Sequence, residues 1–206
     1  MLRFDNVDHP HQEGRCTLIK HLRPKTIVFF SHNYIDVQDM PPSLYACCEE
    51  IVSVMPPCCE HLLIQLHNLM AGPRLCKITY VFHTLPSTAS WYSGSLPFRS
   101  MVEELKPLSC VISAFPSNIQ VVIVNAGSLR PHRSNGVLWK RTTESDDAQV
   151  IIMDQLEEVL RDEGNSPEQV RKNMGRVCFI TMKEYLMREK WKGIIPEETA
   201  RDWLNH

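Results

Sequence analysis

Four short apolar runs divide the chain and give the first prediction of its fold. Each is rich in β-branched or aromatic residues and contains few polar ones: 25–31, 77–83, 119–125 and 176–181. Runs of this kind are typical of strands that are buried on both faces of a parallel sheet. We therefore expect four central strands, and a weaker run at 110–114 predicts a fifth.

Helical spacing of apolar residues fills the intervals between these runs. Apolar residues recur at every third or fourth position, which predicts helices that bury one face. Pro107 is expected to end a short helix. The first two helices, which two prolines separate, are either two elements or one broken helix. The expected helices lie at 43–54, 58–71, 98–105, 145–164, 183–191 and 196–204.

Ser166 begins the clearest helix signal in the sequence. A serine N-cap, Pro167 at the first helical position and Gln169 at the third form a capping box, in which side chains and backbone satisfy each other's polar groups. Gly175 is expected to end this helix. The prediction is a short helix directly before the strand at 176–181.

The alternation of buried strands with helices predicts a three-layer α/β domain, with a mostly parallel central sheet and helices on both faces. The length of 206 residues suits one domain. We assign this domain to 25–206 and expect 1–24, which mixes His, Pro and charge, to be a loose lead-in. The stretches 84–97 and 126–144 are expected to be loop insertions. No internal repeat is evident in the sequence.

Composition and charge narrow the classes of protein. A net charge of −2 provides no field of one sign to attract nucleic acid or a membrane surface. The longest apolar runs are shorter than the roughly 20 residues that a membrane span needs. Asp5, Asp8 and Glu13 stand where a signal peptide would be apolar. We expect a protein inside the cell, with no membrane partner, whose cysteines are buried thiols rather than disulfides.

Known phosphate-binding and nucleophile motifs do not occur in the sequence. It contains neither a G-x-x-x-x-G-K-[ST] nor a G-x-G-x-x-G loop, so no nucleotide or other cofactor is expected. Ser31, His32, Asp36 and His83 follow predicted strands and are the candidates for a small hydrolase or transferase site. No G-x-S-x-G elbow presents the serine. We favour the alternative, in which these polar groups satisfy the ends of the strands.

Paired cysteines suggest a zinc hypothesis. The pairs at 47–48 and 58–59, with His61 close behind, supply the right ligand types. Structural zinc ligands, however, usually lie two to four residues apart, and adjacent cysteines on a helix point about 100° apart. Core packing is therefore the favoured interpretation, and no metal site is predicted.

A local basic segment lies within the second insertion. It surrounds an Asn-Gly turn of the kind that closes a two-residue β-hairpin, and Trp139 lies within it. A basic hairpin with an aromatic residue can hold a phosphate backbone and stack a base. The alternative is an ordinary solvated loop. The candidate nucleic-acid-binding residues are Arg130, His132, Arg133, Lys140 and Arg141.

The order of the predicted elements resembles that of a von Willebrand factor A-type domain. Members of that family that bind a metal carry D-x-S-x-S after the first strand, which supplies oxygen ligands to a hard cation. In this chain residues 30–36 read FSHNYID, so the motif is missing. The resemblance therefore implies an A-type domain with a degenerate metal site.

Three patches resemble the Asunder family, subunit 13 of the Integrator complex. The first is 25–29 with His32 and Tyr34, the second is SLYACCEE at 43–50, and the third is GRVCFIT at 175–181. Ser31 replaces the aspartate that the family carries after its first strand. The spacing between the second and third patches is longer here, and the family's large carboxyl-terminal part is absent.

This resemblance implies a non-catalytic scaffold domain of a nuclear, Integrator-like assembly that processes small nuclear RNAs. The expected partner is another protein subunit, such as an A-type domain similar to Integrator subunit 14, and RNA is a further candidate. No catalytic residue is carried over, because the family has none in this region. The expected location is the nucleus, with the cytoplasm as a second compartment.

Overall fold

Six strands form a single parallel sheet in the part of the chain that a computed structural model describes. The described residues are 1–4, 21–30, 45–55, 73–82, 101–126, 144–188, 191–195 and 197–205. The strands lie side by side in the order in which they occur along the chain, β1-β2-β3-β4-β5-β6. Their bounds are β1 Leu2–Phe4, β2 Thr26–Phe30, β3 Glu50–Met55, β4 Lys77–Phe82, β5 Gln120–Val124 and β6 Val177–Ile180.

Five helices accompany the sheet among the described residues. Two of them, α1 and α2, follow β4 and β5, and α3 completes the connection to β6. The last two follow β6. Their bounds are α1 Met101–Ala114, α2 Glu144–Asp162, α3 Pro167–Met174, α4 Met182–Met187 and α5 Glu197–Asn205.

The four central strands predicted from sequence are confirmed as β2, β4, β5 and β6. The helix expected at 43–54 is wrong in its second half, because Glu50–Met55 is β3 and pairs with β2 on one side and β4 on the other. Its β-branched residues fit a strand, and the two neighbouring strands provide the pairing that decides between the two states. The helix expected at 58–71 lies outside the described residues.

The weak strand expected at 110–114 is also wrong, since these residues form the last turns of α1. Val111 and Ile112 are buried on the side of the helix that faces the core. The helix does not stop before Pro107 as predicted but continues through it. Ser109 donates a hydrogen bond of 3.2 Å to the Ile152 carbonyl and so fastens α1 to α2.

The beginning of the chain also differs from the prediction. The segment 1–24 was expected to be a loose lead-in, but Leu2–Phe4 is the edge strand β1 and pairs with β2 in parallel. A three-residue strand carries too little pattern for sequence periodicity to detect.

Two apolar clusters cover the two faces of the sheet. The first face packs against α1, α2 and α3 and includes Ile27, Ile51, Ile78 and Val121. The second face packs against α4, α5 and the residues between them and includes Val28, Val52, Val81 and Val122. The three-layer α/β architecture with a parallel central sheet, which the sequence predicted, is therefore confirmed.

The second face is covered by one continuous stretch, 182–205, which we name the C-terminal arm. Tyr185, Leu186 and Ile195 of the arm are buried against this face. The arm extends as far as the start of the chain, because a Cβ placed on Gly193 would lie 2.8 Å from the Met1 side chain. Gly193 also has a φ of +78°, so both its space and its backbone conformation favour glycine.

The first four strands repeat at nearly constant spacing. Leu2, Ile27, Ile51 and Ile78 occupy equivalent positions in the ladder, at separations of 25, 24 and 27 residues. The later intervals are longer, since Ile78 is matched by Val121 on β5. The repetition lies in the geometry of the backbone, and no repeated motif in the sequence accompanies it.

Arg176 ties the start of β6 to the end of α1. Its side chain is buried, and its guanidinium donates to four carbonyl oxygens, those of Ile112 at 2.5 Å, Phe115 at 2.7 Å, Pro116 at 2.5 Å and Asn173 at 3.3 Å. Carbonyls at a helix end lack partners within the helix, and a cation there is favoured by the helix dipole. Burial lowers the pKa of Arg176 from its usual value.

Candidate functional site

The predicted site residues follow, in the sequence, strands that end at the carboxyl edge of the sheet. In a parallel sheet all strands end at the same edge, and ligands of open α/β sheets usually bind there. Ser31 and His32 follow β2 directly, and His83 follows β4. Asp36 and these three residues lie outside the described residues. The hydrolase or transferase alternative therefore stays a prediction.

The basic segment begins at the same edge, three residues after Gly127. Its predicted binding residues lie outside the described part of the chain: Arg130, His132, Arg133, Lys140 and Arg141. The structure fixes the two points between which the segment runs, the end of β5 on one side and the start of α2 on the other. RNA binding by the segment stays a prediction.

Asn125 is a polar residue at this edge that bonds to two neighbouring strands. Its side-chain Nδ2 donates 3.0 Å to the Phe82 carbonyl at the end of β4, and its backbone N–H donates 2.9 Å to the Ile180 carbonyl at the end of β6. One residue thus joins the ends of three adjacent strands. Its φ of 61° lies in the left-handed region, where asparagine is among the few non-glycine residues that occur readily.

This conformation turns the chain sharply as it leaves β5. A residue held at positive φ is found mainly where the surrounding structure over-determines it, which is common at functional sites. Here the two hydrogen bonds provide that restraint. Asn125 therefore fixes the direction of the backbone at Ala126, the last described residue before the basic segment, a role that its place after an apolar run does not reveal by itself.

Thr181 directly follows β6 at the carboxyl edge and forms hydrogen bonds with Glu184. The Thr181 hydroxyl accepts from the Glu184 backbone N–H at 3.1 Å, and the Glu184 carboxylate accepts from the Thr181 backbone N–H at 2.7 Å. This is a capping box at the start of α4. The hydrogen bonds from the Thr181 backbone and hydroxyl, with a smaller contribution from the charge of Arg188, lower the pKa of Glu184.

The capping box predicts a pH-dependent stability difference between the wild type and Glu184→Gln. Because the folded-state pKa is depressed, the stabilisation from the carboxylate is present above its unfolded pKa and is lost as pH falls through the folded value. Urea midpoints of the two proteins should differ at about pH 7 and converge below about pH 4. A difference that stays constant over this range would contradict the prediction.

A second polar cluster lies on the second face, near the amino ends of β3 and β4. Glu50 accepts from the Lys77 ammonium at 2.6 Å and from the Thr79 hydroxyl at 3.0 Å, and all three are at least partly buried. Burial, together with the negative charge of Glu50, raises the pKa of Tyr185 in the arm above it. The cluster pairs its charges internally and links β3 to β4.

The cysteines divide between buried and accessible positions. Cys48 is buried, and burial raises the pKa of its thiol to about 11, so it is a neutral thiol at physiological pH. Cys76, in contrast to the sequence expectation, is exposed. Cys58, Cys59 and His61 lie outside the described residues. Within the described residues, no three His, Cys, Asp or Glu side chains come together as a metal site.

Away from the carboxyl edge, one side of α2 carries a cavity of about 210 Å³. It is lined by Gln155, Glu158, Val159, Asp162 and Glu163. The lining combines three carboxylates with one amide and one apolar side chain, and it contains no histidine, cysteine or cation. Among the helices of the described ranges, none has the length and apolar character required to cross a membrane.

Comparisons of the chain with protein-family models, with curated proteins and with solved structures found no match. The similarity to A-type domains therefore rests on the order of the predicted elements alone, and that to the Asunder family on the three sequence patches. The parallel α/β fold and the geometry of the carboxyl edge are the features on which a functional proposal can be built.

Proposed function

We propose that this protein is a non-catalytic scaffold domain that binds another protein. The observation that carries the proposal is the strand order: parallel strands stacked in sequence order, the first four separated by 24 to 27 residues. One strand with its connection every 20 to 29 residues is the plan of β–α solenoids. Such stacks present extended surfaces to partners.

The common edge at which the strands end supports this proposal. β2, β3, β4 and β5 run parallel and therefore all end at the carboxyl edge. Binding residues of many proteins lie on segments that a rigid scaffold positions in this way.

The strand order also bears on the predicted A-type identity. A doubly wound sheet has the order 3-2-1-4-5-6, with a switch point at its centre. The sequential order seen here has no such switch. Because the scaffold proposal is based on this order, it does not depend on A-type identity. The degenerate metal site, the nuclear Integrator-like assembly and the subunit 14-like partner are proposals that the sequence resemblance alone supports.

A mixing experiment separates the scaffold from the hydrolase alternative. Light scattering after size exclusion should show a complex between the purified chain and an A-type domain similar to Integrator subunit 14. A fluorophosphonate probe, which labels activated serines, should leave the protein unmodified. If the probe labels the wild type but not Ser31→Ala, and if no complex forms, the protein is a hydrolase rather than a scaffold.

RNA contact is a second candidate function, which the basic residues at 130–141 favour. Each phosphate that a cation neutralises releases counterions, so binding to single-stranded RNA should be weak, independent of sequence and steeply reduced by salt. Replacing Arg130, Arg133 and Lys140 by glutamine should flatten the slope of log affinity against log salt by about 0.7 per lost contact. Unchanged binding by the triple variant would show that the segment is only a solvated loop.

A further inference from the structure

The outer edge of β6 is the end of the sheet. The carbonyls of Arg176 and Ile180 both accept hydrogen bonds from β5, at 3.0 Å from the Val121 amide and at 2.9 Å from the Asn125 amide. In a parallel ladder, a residue that bonds to one neighbouring strand is followed by a residue whose N–H and C=O point to the other side. The positions between Arg176 and Ile180 therefore alternate between β5 and the open edge.

Val177 and Phe179 are the residues that face this open edge. No strand of the described ranges lies beyond β6, so the N–H and C=O groups of both residues face away from the ladder; the Phe179 carbonyl accepts a long hydrogen bond of 3.9 Å from the Cys178 thiol. Both side chains are only partly buried, against the core of the first face. The edge thus combines main-chain groups that no described strand pairs with apolar surface on one side.

The two edge strands of the sheet differ in the features that discourage pairing with a further strand. Proteins usually protect an edge by making its strand very short, or by placing charges, prolines or bulges in it. β1 has only three residues. β6 has four, VCFI, without a charge or a proline. The chain also turns away after β6 and crosses to the second face as α4, so the sheet does not continue within the described residues.

Exposed basic side chains precede and follow β6 along the chain. Arg171 and Lys172 are exposed in the last turn of α3, directly before β6, and Lys183 and Arg188 are exposed in and just after α4, directly after it. The Glu184 carboxylate, the acidic group closest in sequence to the end of β6, is engaged in the capping box. Each end of β6 is therefore connected to a short segment with two exposed cations.

We propose that the outer edge of β6 is a docking site for an extended, acidic segment of a partner protein, which adds to the sheet as a seventh strand. The proposal rests on the scaffold function above and specifies where one partner binds. Main-chain hydrogen bonds supply the affinity in this mode of recognition, and the flanking charges select the peptide. A second copy of the chain is disfavoured, since edge-to-edge pairing would bring the same cations together.

Fluorescence anisotropy with a labelled short peptide of alternating valine and glutamate tests the proposal. The peptide should bind, and binding should weaken with salt. The same peptide with N-methylated amides on alternate residues cannot form the strand hydrogen bonds and should lose roughly tenfold or more in affinity. A peptide with lysine in place of glutamate should not bind.

Charge-reversed proteins locate the site. The double variant Arg171→Glu with Lys172→Glu should lower affinity for the glutamate peptide by roughly tenfold or more. The matched control, Lys25→Glu with Arg74→Glu, changes as many exposed charges beside β2 and β4 and should leave the affinity close to that of the wild type. Circular dichroism checks that both variants fold.

Two results would overturn the docking proposal. One is an equal loss in both double variants, which would mean only a general charge effect. The other is equal binding of the N-methylated peptide, which would exclude strand addition. Neither result would contradict the proposed scaffold function at the carboxyl edge, because a separate experiment measures the complex with the A-type domain.

Discussion

Replacing Arg176 by methionine is expected to lower the free energy of unfolding by about 3 kcal/mol. Methionine keeps much of the apolar stem but removes the guanidinium that serves the carbonyls of Ile112, Phe115 and Pro116. The Phe115 carbonyl would lose its partner, whereas the Ile112 and Pro116 carbonyls would keep the amides of Phe115 and Ile119. A buried polar group that loses its partner costs about 1–3 kcal/mol. For a protein of this size, such a loss corresponds to a fall in Tm of roughly 6–12 °C.

Chemical denaturation monitored by circular dichroism measures this loss. Arg176→Lys retains the charge but not the planar fork of donors, so it should recover only part of the stability. Arg171→Met changes an exposed arginine of the preceding helix and should alter stability by less than about 0.5 kcal/mol. If Arg176→Met and Arg171→Met behave alike, the buried guanidinium does not hold α1 to β6.

Asn125→Val should cost about 2–3 kcal/mol of stability. A β-branched residue at a φ of 61° is strained by roughly 1–2 kcal/mol, and the hydrogen bond from Nδ2 to the Phe82 carbonyl is lost as well. The ends of β4 and β5 would then lose their side-chain link at the carboxyl edge. Differential scanning calorimetry of the purified variant gives the size of the effect.

Asn125→Gly distinguishes the cost of backbone strain from the cost of losing the side-chain hydrogen bond. Glycine adopts positive φ without strain but cannot make the side-chain hydrogen bond, so its cost should be only that bond, about 1 kcal/mol. Val and Gly variants of equal stability would contradict the backbone-strain argument. If Asn125 also directs the basic segment, Asn125→Gly should weaken RNA binding without changing the salt slope.

Much of the fold is readable from the sequence because burial on both faces leaves a strong signal. The runs that became β2, β4, β5 and β6 are apolar without interruption, and the capping box at Ser166 is explicit in residue type. β3 was missed because the EIVSVM of Glu50–Met55 also satisfies helical spacing. Only its pairing with β2 and β4, which are distant in the sequence, makes this segment a strand rather than a helix.

The candidate site is accessible to sequence reasoning only as a set of strand ends. Two of these ends, Asn125 and Thr181, lie at the common carboxyl edge, whereas the predicted site residues lie outside the described residues and stay a prediction. The positive φ of Asn125 and the carbonyl partners of Arg176 depend on tertiary geometry. Strand order is also invisible to local pattern, since doubly wound and sequential sheets share the same alternation of strands and helices.

The C-terminal arm has a consequence for how the protein is made. Translation delivers β1 to β6 before the residues of the arm, so Val28, Val52 and Val81 lack the part of their cluster that Tyr185 and Ile195 supply until the arm emerges. Domains synthesised in this way expose apolar surface while the ribosome is still at work. The nascent chain is therefore a natural client for chaperones until the arm has packed against the sheet.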